Sequence, residues 1–576
     1  MKNRFFKLFV LLAAIVVFFG SLAIARNVET DGGNTAVKRL AIQTNDNALL
    51  SAKIFQPKTA TAENPAPAVI LIPGGNANLE YMSATSIELA RRGYVALSID
   101  PYTIGRSDVI QPTTDLGGLA ALNYIKSLNF VDQEAIGMIG WSAGVGRANG
   151  AAILPDGTPN GVKATFGFGA GSPGDPELAI NQGFFIGQVE TTYGQGRLKQ
   201  KDINTAEAFT KPMNTDYVEF ATWYGDLAAN KGRILYTGLT GHTMGLISKS
   251  GISAACSFFN DALKPAPIAV DGFTYGWKEV FTAVAIIALF ASMILAGLIM
   301  LETAPFASLK RENVPQLAAK PTPVMWIMLG ASILFGALIA KWAVFNGQNF
   351  LNKTGFLQIA NANGFLFWLM CLALFAVVML VVRIFADKSL DKAALAAFAK
   401  IRVGDAFKSL LLGFLVIFSG YVMVSLGDQF FNLSPRFWKV QLNVLNATRL
   451  RLFVIYFLFY IIPMLIFNYM HTSSYCFEDK PVLSMVLVWM ANTLPALLFV
   501  IYIYGSIRIV GLTPITNAAM SRANGSMLDA VMLMLPVSII TATFFRKSKN
   551  FYIAAFFNAL FFAWNAVGTD LITFLG

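Results

Sequence analysis

The chain has 576 residues, of which 55% are hydrophobic and only 13% charged, with a formal net charge of +11. That is too apolar for an ordinary soluble protein. The Lys and Arg residues fall mostly in short loops between apolar runs, the pattern of membrane orientation rather than of nucleic-acid binding, so nucleic acid is set aside as a partner. Of three cysteines, Cys256, Cys371 and Cys476, only Cys256 lies in the less apolar part of the chain, which excludes a disulfide framework or a Cys-rich metal site there.

The apolar excess is uneven. Residues from about 30 to 270 have mixed, globular composition, whereas the chain from about 277 onward is a series of long apolar runs. At the N-terminus, basic Lys2, Arg4 and Lys7 precede an uncharged stretch from Leu8 to Ala25. Residues 1–25 therefore read as a signal-anchor helix or as a secretory signal with Ala23-Ile24-Ala25 as a cleavage site, and both remain open. Either puts the following domain outside the cytoplasm, and its single Cys leans toward a bacterial envelope.

Between 30 and 263, candidate strands at 38–43, 50–55, 68–72, 94–99, 135–139, 163–168, 184–189 and 233–236 are interleaved with helical stretches such as 83–92 and 116–128. Such alternation predicts an α/β fold, a doubly wound, mostly parallel sheet with helices on both faces and ligands at the carboxyl ends of its strands. The strand at 135–139 runs into Gly140-Trp141-Ser142-Ala143-Gly144, followed by a small-residue stretch suited to a helix packed close on a sheet. The glycines fit a turn so tight that a Cβ at either position would collide with the neighbouring chain. Ser142 would then project from the top of the sheet, with the next backbone N–H and a helix start to stabilise an oxyanion.

A G-x-S-x-G between strand and helix resembles the nucleophile elbow of the α/β-hydrolases. The order of features from about 37 to 263 is similar to that superfamily. After the third strand, Pro73-Gly74-Gly75-Asn76-Ala77-Asn78 resembles its H-G-G oxyanion loop, with proline in place of the usual histidine. The resemblance implies oxyanion donors from the backbone N–H groups of Gly75, Asn76 and Ala143. Asp100-Pro101-Tyr102-Thr103-Ile104-Gly105-Arg106-Ser107 resembles the turn after the fourth strand, short of one glycine. The dienelactone-hydrolase-like and esterase-like branches are nearest in general shape. Dienelactone hydrolases use a Cys nucleophile, so Ser142 argues against carrying over their substrate.

In this family the triad runs Ser, acid, His along the chain. The globular part contains one histidine, His242, a few residues past the last strand and just before a helix at 246–263. Its implied role is the base that takes the serine proton. Glu190 ends the strand at 184–189, where the family carries its acid. Asp226 is the next candidate, then Asp175 and Asp216. The acid would fix the imidazole tautomer and stabilise imidazolium. No His/Cys/Asp cluster has metal spacing, so neither metal nor cofactor is expected. An insertion-like stretch at 194–230 carries Phe209, Tyr217, Phe220, Trp223 and Tyr224. It reads as an extra amphipathic helix packed on the sheet in preference to a substrate-facing cap.

Residues 264–276 form a Pro-containing linker, whose reach of roughly 40 Å when extended holds the hydrolase near the bilayer. Residues 277–576 then predict an all-α polytopic membrane domain of about eight spans, at 278–300, 323–345, 365–386, 409–427, 452–471, 481–505, 525–545 and 551–573, each near the ~20 residues a bilayer requires. The Lys/Arg bias favours an internal N-terminus and an external hydrolase and C-terminus. The loop 428–451 fits worst, because Arg436, Lys439, Arg449 and Arg451 lie on the outer side. An interfacial amphipathic helix would accommodate them. Among polar residues of the spans, Lys341, Asp529 and Asp570 lie near span ends, and Asn492, Asn558 and Asn565 lie within. Anchoring is favoured over a substrate pathway, and His471 reads as incidental.

The expectation is a multi-pass membrane protein with an outward-facing serine hydrolase acting on an ester through an acyl-enzyme. Its partners would be a small-molecule or lipid-like ester and the lipid bilayer. Two rivals stand beside it. One is an acyltransferase with the same triad serving a lipid or envelope acceptor. The other is a transporter or receptor whose hydrolase-like domain only binds ligand.

Overall fold

The structure is a computed structural model that describes residues 2–44, 47–110, 113–191, 200–311, 321–400, 402–438 and 440–573. It opens with helix α1 (Lys2–Glu29), which extends beyond the expected 8–25 at both ends and contains the candidate cleavage site within its run. Nine strands follow in one sheet: β1 (Thr35–Gln43), β2 (Leu49–Pro57), β3 (Ala66–Ile72), β4 (Val95–Ile99), β5 (Val131–Trp141), β6 (Ala164–Phe168), β7 (Asn181–Val189), β8 (Trp223–Tyr224) and β9 (Arg233–Gly241). Their order is β1-β2-β4-β3-β5-β6-β7-β9-β8. Strands β4, β3, β5, β6, β7 and β9 pair in parallel, and β1, β2 and β8 add antiparallel edges. Each expected strand is present. The short β8 is an addition.

Every residue of β3 and of β4 is buried, as a strand covered on both faces must be. Alternate side chains of β3 serve two cores. Val69 and Leu71 pack with Ile87 of α2 (Ser83–Arg91) and with Ile252 and Phe259, which lie on a later helix. Ile70 and Ile72 pack with Leu122 and Ile125 of α3 (Gly118–Lys126) and Ala148 of α4 (Ala143–Ala152). Fully burying one such aliphatic side chain contributes roughly 1.5–3 kcal/mol, so this two-faced core is what holds the strand ends in place. In the 194–230 stretch, residues 192–199 lie outside the described residues. Helix α5 (Glu207–Met213) buries Phe209 against Phe184, 5.9 Å between rings, the extra packed helix that was expected. Helix α6 (Lys249–Ala262) closes the domain.

The segment after α6 is tied down rather than extended. Ile268 N–H donates to the Arg92 carbonyl at 3.1 Å, and the Arg92 guanidinium lies 4.8 Å from the centre of the Phe273 ring. The chain then forms α7 (Tyr275–Met300), the short α8 (Ala304–Ala307), α9 (Pro323–Asn352), α10 (Ala360–Ala386), the short α11 (Lys392–Ala399), α12 (Val403–Phe431), α13 (Ala447–Tyr475), α14 (Pro481–Val510), α15 (Ala518–Ser548) and α16 (Phe551–Thr569). Among the described residues, nine helices are long and apolar enough to cross a membrane: α1, α7, α9, α10, α12, α13, α14, α15 and α16. Helix α16 is buried along its whole length and packs against α12, α13 and α15. Helix α1 lies along α7, with Phe18, Leu22 and Ala25 in the bundle core. Several polar residues inside the bundle are paired: Asn492 with Ser538, Thr541 with Asn468, and Asn558 with Thr541. His471 is buried and stacks on Phe467 at 5.7 Å.

The sheet sits on one end of the bundle through a buried ionic network. Glu80 accepts from Lys53 at 2.6 Å and from Lys278 of α7 at 3.0 Å, and Lys53 also reaches Glu29 of α1 at 3.0 Å. Burial opposes the charge on Glu80, but Lys53, Lys278 and Arg39 outweigh it and hold its carboxyl well below 4.5. At the end of α12, Asp428 pairs with Arg39 at 3.4 Å and Arg106 at 2.6 Å.

The expected interfacial helix in the 428–451 loop is not what forms. Helix α12 runs on to Phe431, and β10 (Arg436–Phe437) pairs with β11 (Val440–Gln441) in a hairpin. Among the described residues of the loop, two of the awkward arginines are satisfied by protein instead. Arg436 bonds both oxygens of Glu279, at 2.7 and 2.6 Å. Arg449 donates to the carbonyls of Val567, Asp570 (3.1 Å) and Thr103 (3.0 Å). Thr103 belongs to the turn after β4, so this arginine ties the bundle to the sheet.

Candidate active site

Four neighbouring parallel strands, β5, β6, β7 and β9, end side by side, and the sequence places a serine, a glutamate and a histidine just past the ends of β5, β7 and β9. Trp141, the last residue of β5, pairs with Phe168 of β6; Phe168 pairs with Phe185 of β7; Val189 of β7 pairs with Gly241 of β9. Ser142, Glu190 and His242 are the next residues on β5, β7 and β9. The register therefore brings the three together at the carboxyl edge, where parallel sheets carry their ligands.

Ser142 has φ 54° and ψ −122°, a strained backbone that only a closely packed turn sustains. Its N–H donates to the Phe168 carbonyl at 2.9 Å. A Cβ at Gly140 would strike the backbone of Val145, and one at Gly144 would strike the Ile72 carbonyl oxygen. Both expected glycine constraints are thus present in the turn. Helix α4 begins at Ala143, directly after the serine, and aims its unpaired N–H groups and positive end at the space beside Ser142.

His242 Nδ1 lies 2.7 Å from Glu190 Oε1, with Glu190 fully buried and the His242 side chain 13% exposed. A carboxylate only accepts, so the Nδ1 proton is assigned to this bond and Nε2 is left as an acceptor. A Cβ at Gly169, just past β6, would lie 2.8 Å from His242 Nδ1 and 2.9 Å from Glu190 Oε2. The pair therefore spans the end of β6, on the way from β9 toward Ser142. Trp141 steadies the ring: its Nε1–H donates to the His242 carbonyl at 3.0 Å, and the two rings are 5.4 Å apart.

The other acid candidates are engaged elsewhere. The Asp226 carboxylate accepts from the N–H groups of Ala228 and Ala229, both at 3.0 Å, and Asp175 accepts from the Glu177 N–H at 2.9 Å. Asp216 is exposed on the surface. Of the three oxyanion candidates, Asn76 lines a cavity together with Ser142 and His242. Gly75 and Ala143, neighbours of Asn76 and Ser142, are exposed.

One positioning residue escaped the sequence reading. Arg147, on the first turns of α4, is buried and donates from Nη1 to the carbonyls of Pro73 at 2.9 Å and Gly74 at 3.1 Å. Burial pulls its guanidinium down to about 10. It fastens the loop bearing Gly75 and Asn76 to the helix that follows Ser142. Its place five residues past the serine was the available signal, but an Arg on a helix face reads by default as solvated.

The cavity holds about 540 Å³ and has two walls. Asn76, Trp141, Ser142, Thr191, His242 and Thr243 belong to the sheet domain. The facing wall belongs to the bundle: Gln348 and Asn352 from the end of α9, Asn361 from α10, Tyr504 from α14, Arg522 and Asn524 from α15. The Thr513 hydroxyl, between α14 and α15, donates to the carbonyl of Thr191, next to Glu190, at 3.3 Å. The bundle thus completes the cavity around Ser142.

No protein-family profile and no curated protein sequence matches the chain. Solved structures similar to it include a hypothetical protein from Pseudomonas aeruginosa, 24% identical over 24% of this chain and 43% of its own length, with a TM-score of 0.21. An esterase from Pyrococcus furiosus is 15% identical over 40% of this chain and 92% of its own, TM-score 0.29. Esterase 2 from Thermogutta terrifontis, in a form phosphorylated by paraoxon, is 17% identical over 40% and 96%, TM-score 0.29. By strand order and by the strand–serine–helix turn, the chain carries an α/β-hydrolase fold followed by a helical region with several long apolar helices.

Proposed function

We propose that the protein is a membrane-embedded serine hydrolase that cleaves a carboxylic ester through an acyl-enzyme. Ser142 attacks the carbonyl, His242 takes its proton and later returns it to the leaving alcohol, and Glu190 holds the imidazole and stabilises its charged form. The N–H groups of Gly75, Asn76 and Ala143 receive the oxyanion. The observation that carries this reading is the 2.7 Å bond between His242 and buried Glu190 at the cavity that Ser142 lines. The nine long apolar helices among the described residues and the Lys/Arg bias support a multi-pass protein of the cell membrane, with the sheet domain on the extracytoplasmic face and α1 retained as an anchor.

The test is labelling of the purified full chain by an uncharged fluorophosphonate. Labelling that is present in the wild type and lost in Ser142→Ala and His242→Ala supports the reading. A folded wild type that does not label refutes it and leaves a binding-only domain. The bundle wall over the cavity favours one variation, transfer of the acyl group to a membrane-borne acceptor instead of water. Acyl-enzyme that accumulates without acceptor and discharges when lipid or envelope polymer is added would establish that variation.

A further inference from the structure

The bundle wall facing Ser142 is rich in amides and lopsided in charge. Among the described residues lining the cavity there is no carboxylate, and Arg522 is the only permanently charged side chain. Arg522 stands in the first two turns of α15, exposed at the cavity mouth, with its guanidinium 5.8 Å from the centre of the Phe345 ring. Two of the neighbouring amides are bonded within the protein. Asn361 donates to Asp570 at 3.4 Å and accepts from Ser526 at 3.3 Å, and Asn352 accepts from Thr573 at 2.8 Å. The Asn524 side chain is 4% exposed and hydrogen-bonds with Tyr504, yet its Oδ1 has no hydrogen-bond partner among the described residues. An acceptor buried without a donor is a costly thing to keep. Because Asn524 lines the cavity, the missing donor is one that a ligand can bring.

Resting on the hydrolase reading above, we propose that this wall binds the alcohol part of the substrate, and that the substrate is an ester of a phosphorylated polyol. A hydroxyl of the polyol donates to Asn524 Oδ1. The phosphate pairs with the planar fork of Arg522, a geometry suited to oxyanions. The acyl carbonyl is thereby presented to Ser142, and on attack the acyl group passes to the serine oxygen while the phosphorylated alcohol leaves with the proton carried by His242. A cavity of about 540 Å³ is of the size that holds a polyol phosphate and the reacting carbonyl together. The same chemistry occurs in a phospholipid and in a water-soluble polyol phosphate.

The experiment measures kcat/KM of the full chain in detergent on 1-butyryl-glycerol 3-phosphate and on neutral 1-butyryl-glycerol. Fluorophosphonate labelling of each preparation reports whether the serine is active. The expected preference for the phosphate ester is at least about tenfold, the scale of one charge-assisted contact. Arg522→Gln should bring the ratio to about one, and Arg522→Lys should restore most of it. Oleoyl-glycerol 3-phosphate in vesicles then separates the sources: turnover confined to the vesicle-borne ester assigns a lipid, and turnover of the butyryl ester assigns a soluble phosphate. A labelled wild type without preference, or a preference untouched by Arg522→Gln, overturns this inference alone. A wild type that does not label overturns the hydrolase reading and this inference with it.

Discussion

Replacing Glu190 by Gln changes one atom and removes one charge. Glu190 is fully buried and its Oε1 sits 2.7 Å from His242 Nδ1, so the shape is kept and no cavity opens. Two losses follow. On the proposed mechanism the imidazole becomes cationic as the serine proton transfers, and a carboxylate about 4 Å from that charge is worth roughly 4 kcal/mol at an effective dielectric of 20. That is about a thousandfold in rate. Gln can also turn its NH2 toward Nδ1, which puts the imidazole proton on Nε2, where it cannot accept from the serine. The combined loss is then of the order of ten thousandfold in kcat. The assay is the second-order rate of fluorophosphonate labelling followed with time, and ester turnover once a substrate is in hand. Asp226→Asn is the companion variant, expected to lie within about twofold of wild type because that carboxylate only closes its own turn. A Glu190→Gln protein that labels within tenfold of wild type, or an Asp226→Asn protein that loses labelling, would refute the assignment of the acid.

Three further predictions concern the scaffold. Glu80→Gln leaves the buried ammonium groups of Lys53 and Lys278 short of a carboxylate and should cost about 3–5 kcal/mol, read as lower thermal stability in detergent. Because the Glu80 carboxyl is held below 4.5, its contribution is complete above that pH and is lost as the pH falls beneath it toward the folded value. Wild type should thus lose thermal stability in acid more steeply than Glu80→Gln, and parallel profiles would contradict this. Arg147→Met removes two hydrogen bonds to the Pro73–Gly74 carbonyls. It should lower kcat by roughly ten- to a hundredfold with little change in KM; an equal loss through KM alone would show that the loop is held by other means. Gly144→Ala places a methyl group against the Ile72 carbonyl and should abolish labelling, while Gly146→Ala, where a Cβ meets nothing within 4 Å, should leave it intact.

The ionic network explains a feature that composition alone left awkward. Of the four basic residues between 428 and 451, Arg436, Arg449 and Arg451 lie at the end of the bundle that carries the sheet, which on the proposed orientation runs against the usual bias. Arg436 and Arg449 are there to bind protein: one grips Glu279 under the Tyr81 ring, the other caps the carbonyls of Val567, Asp570 and Thr103. Lys439 lies outside the described residues. Tyr81 stacks on Trp141 at 6.0 Å, so this contact continues into the residue before the serine.

Much of this architecture was legible from local pattern. Apolar runs of strand length, glycines around Ser142, a lone histidine after the last strand and a glutamate at the end of β7 each follow from neighbours in the chain. Strand period and turn sterics act over a few residues, and the long apolar spans likewise announce themselves by length. Glu190 ranks above Asp226 in the sequence because it ends the strand where the resembled family carries its acid. Tertiary structure alone decided the rest. The cavity is made of α9, α10, α14 and α15 facing a serine more than two hundred residues earlier; Glu80 meets Lys278; and Arg449 meets Thr103. Such pairings depend on how the sheet docks on the bundle. No periodicity records that docking, because a buried cation and a solvated one occupy the same place in a local pattern and differ only in what packs against them.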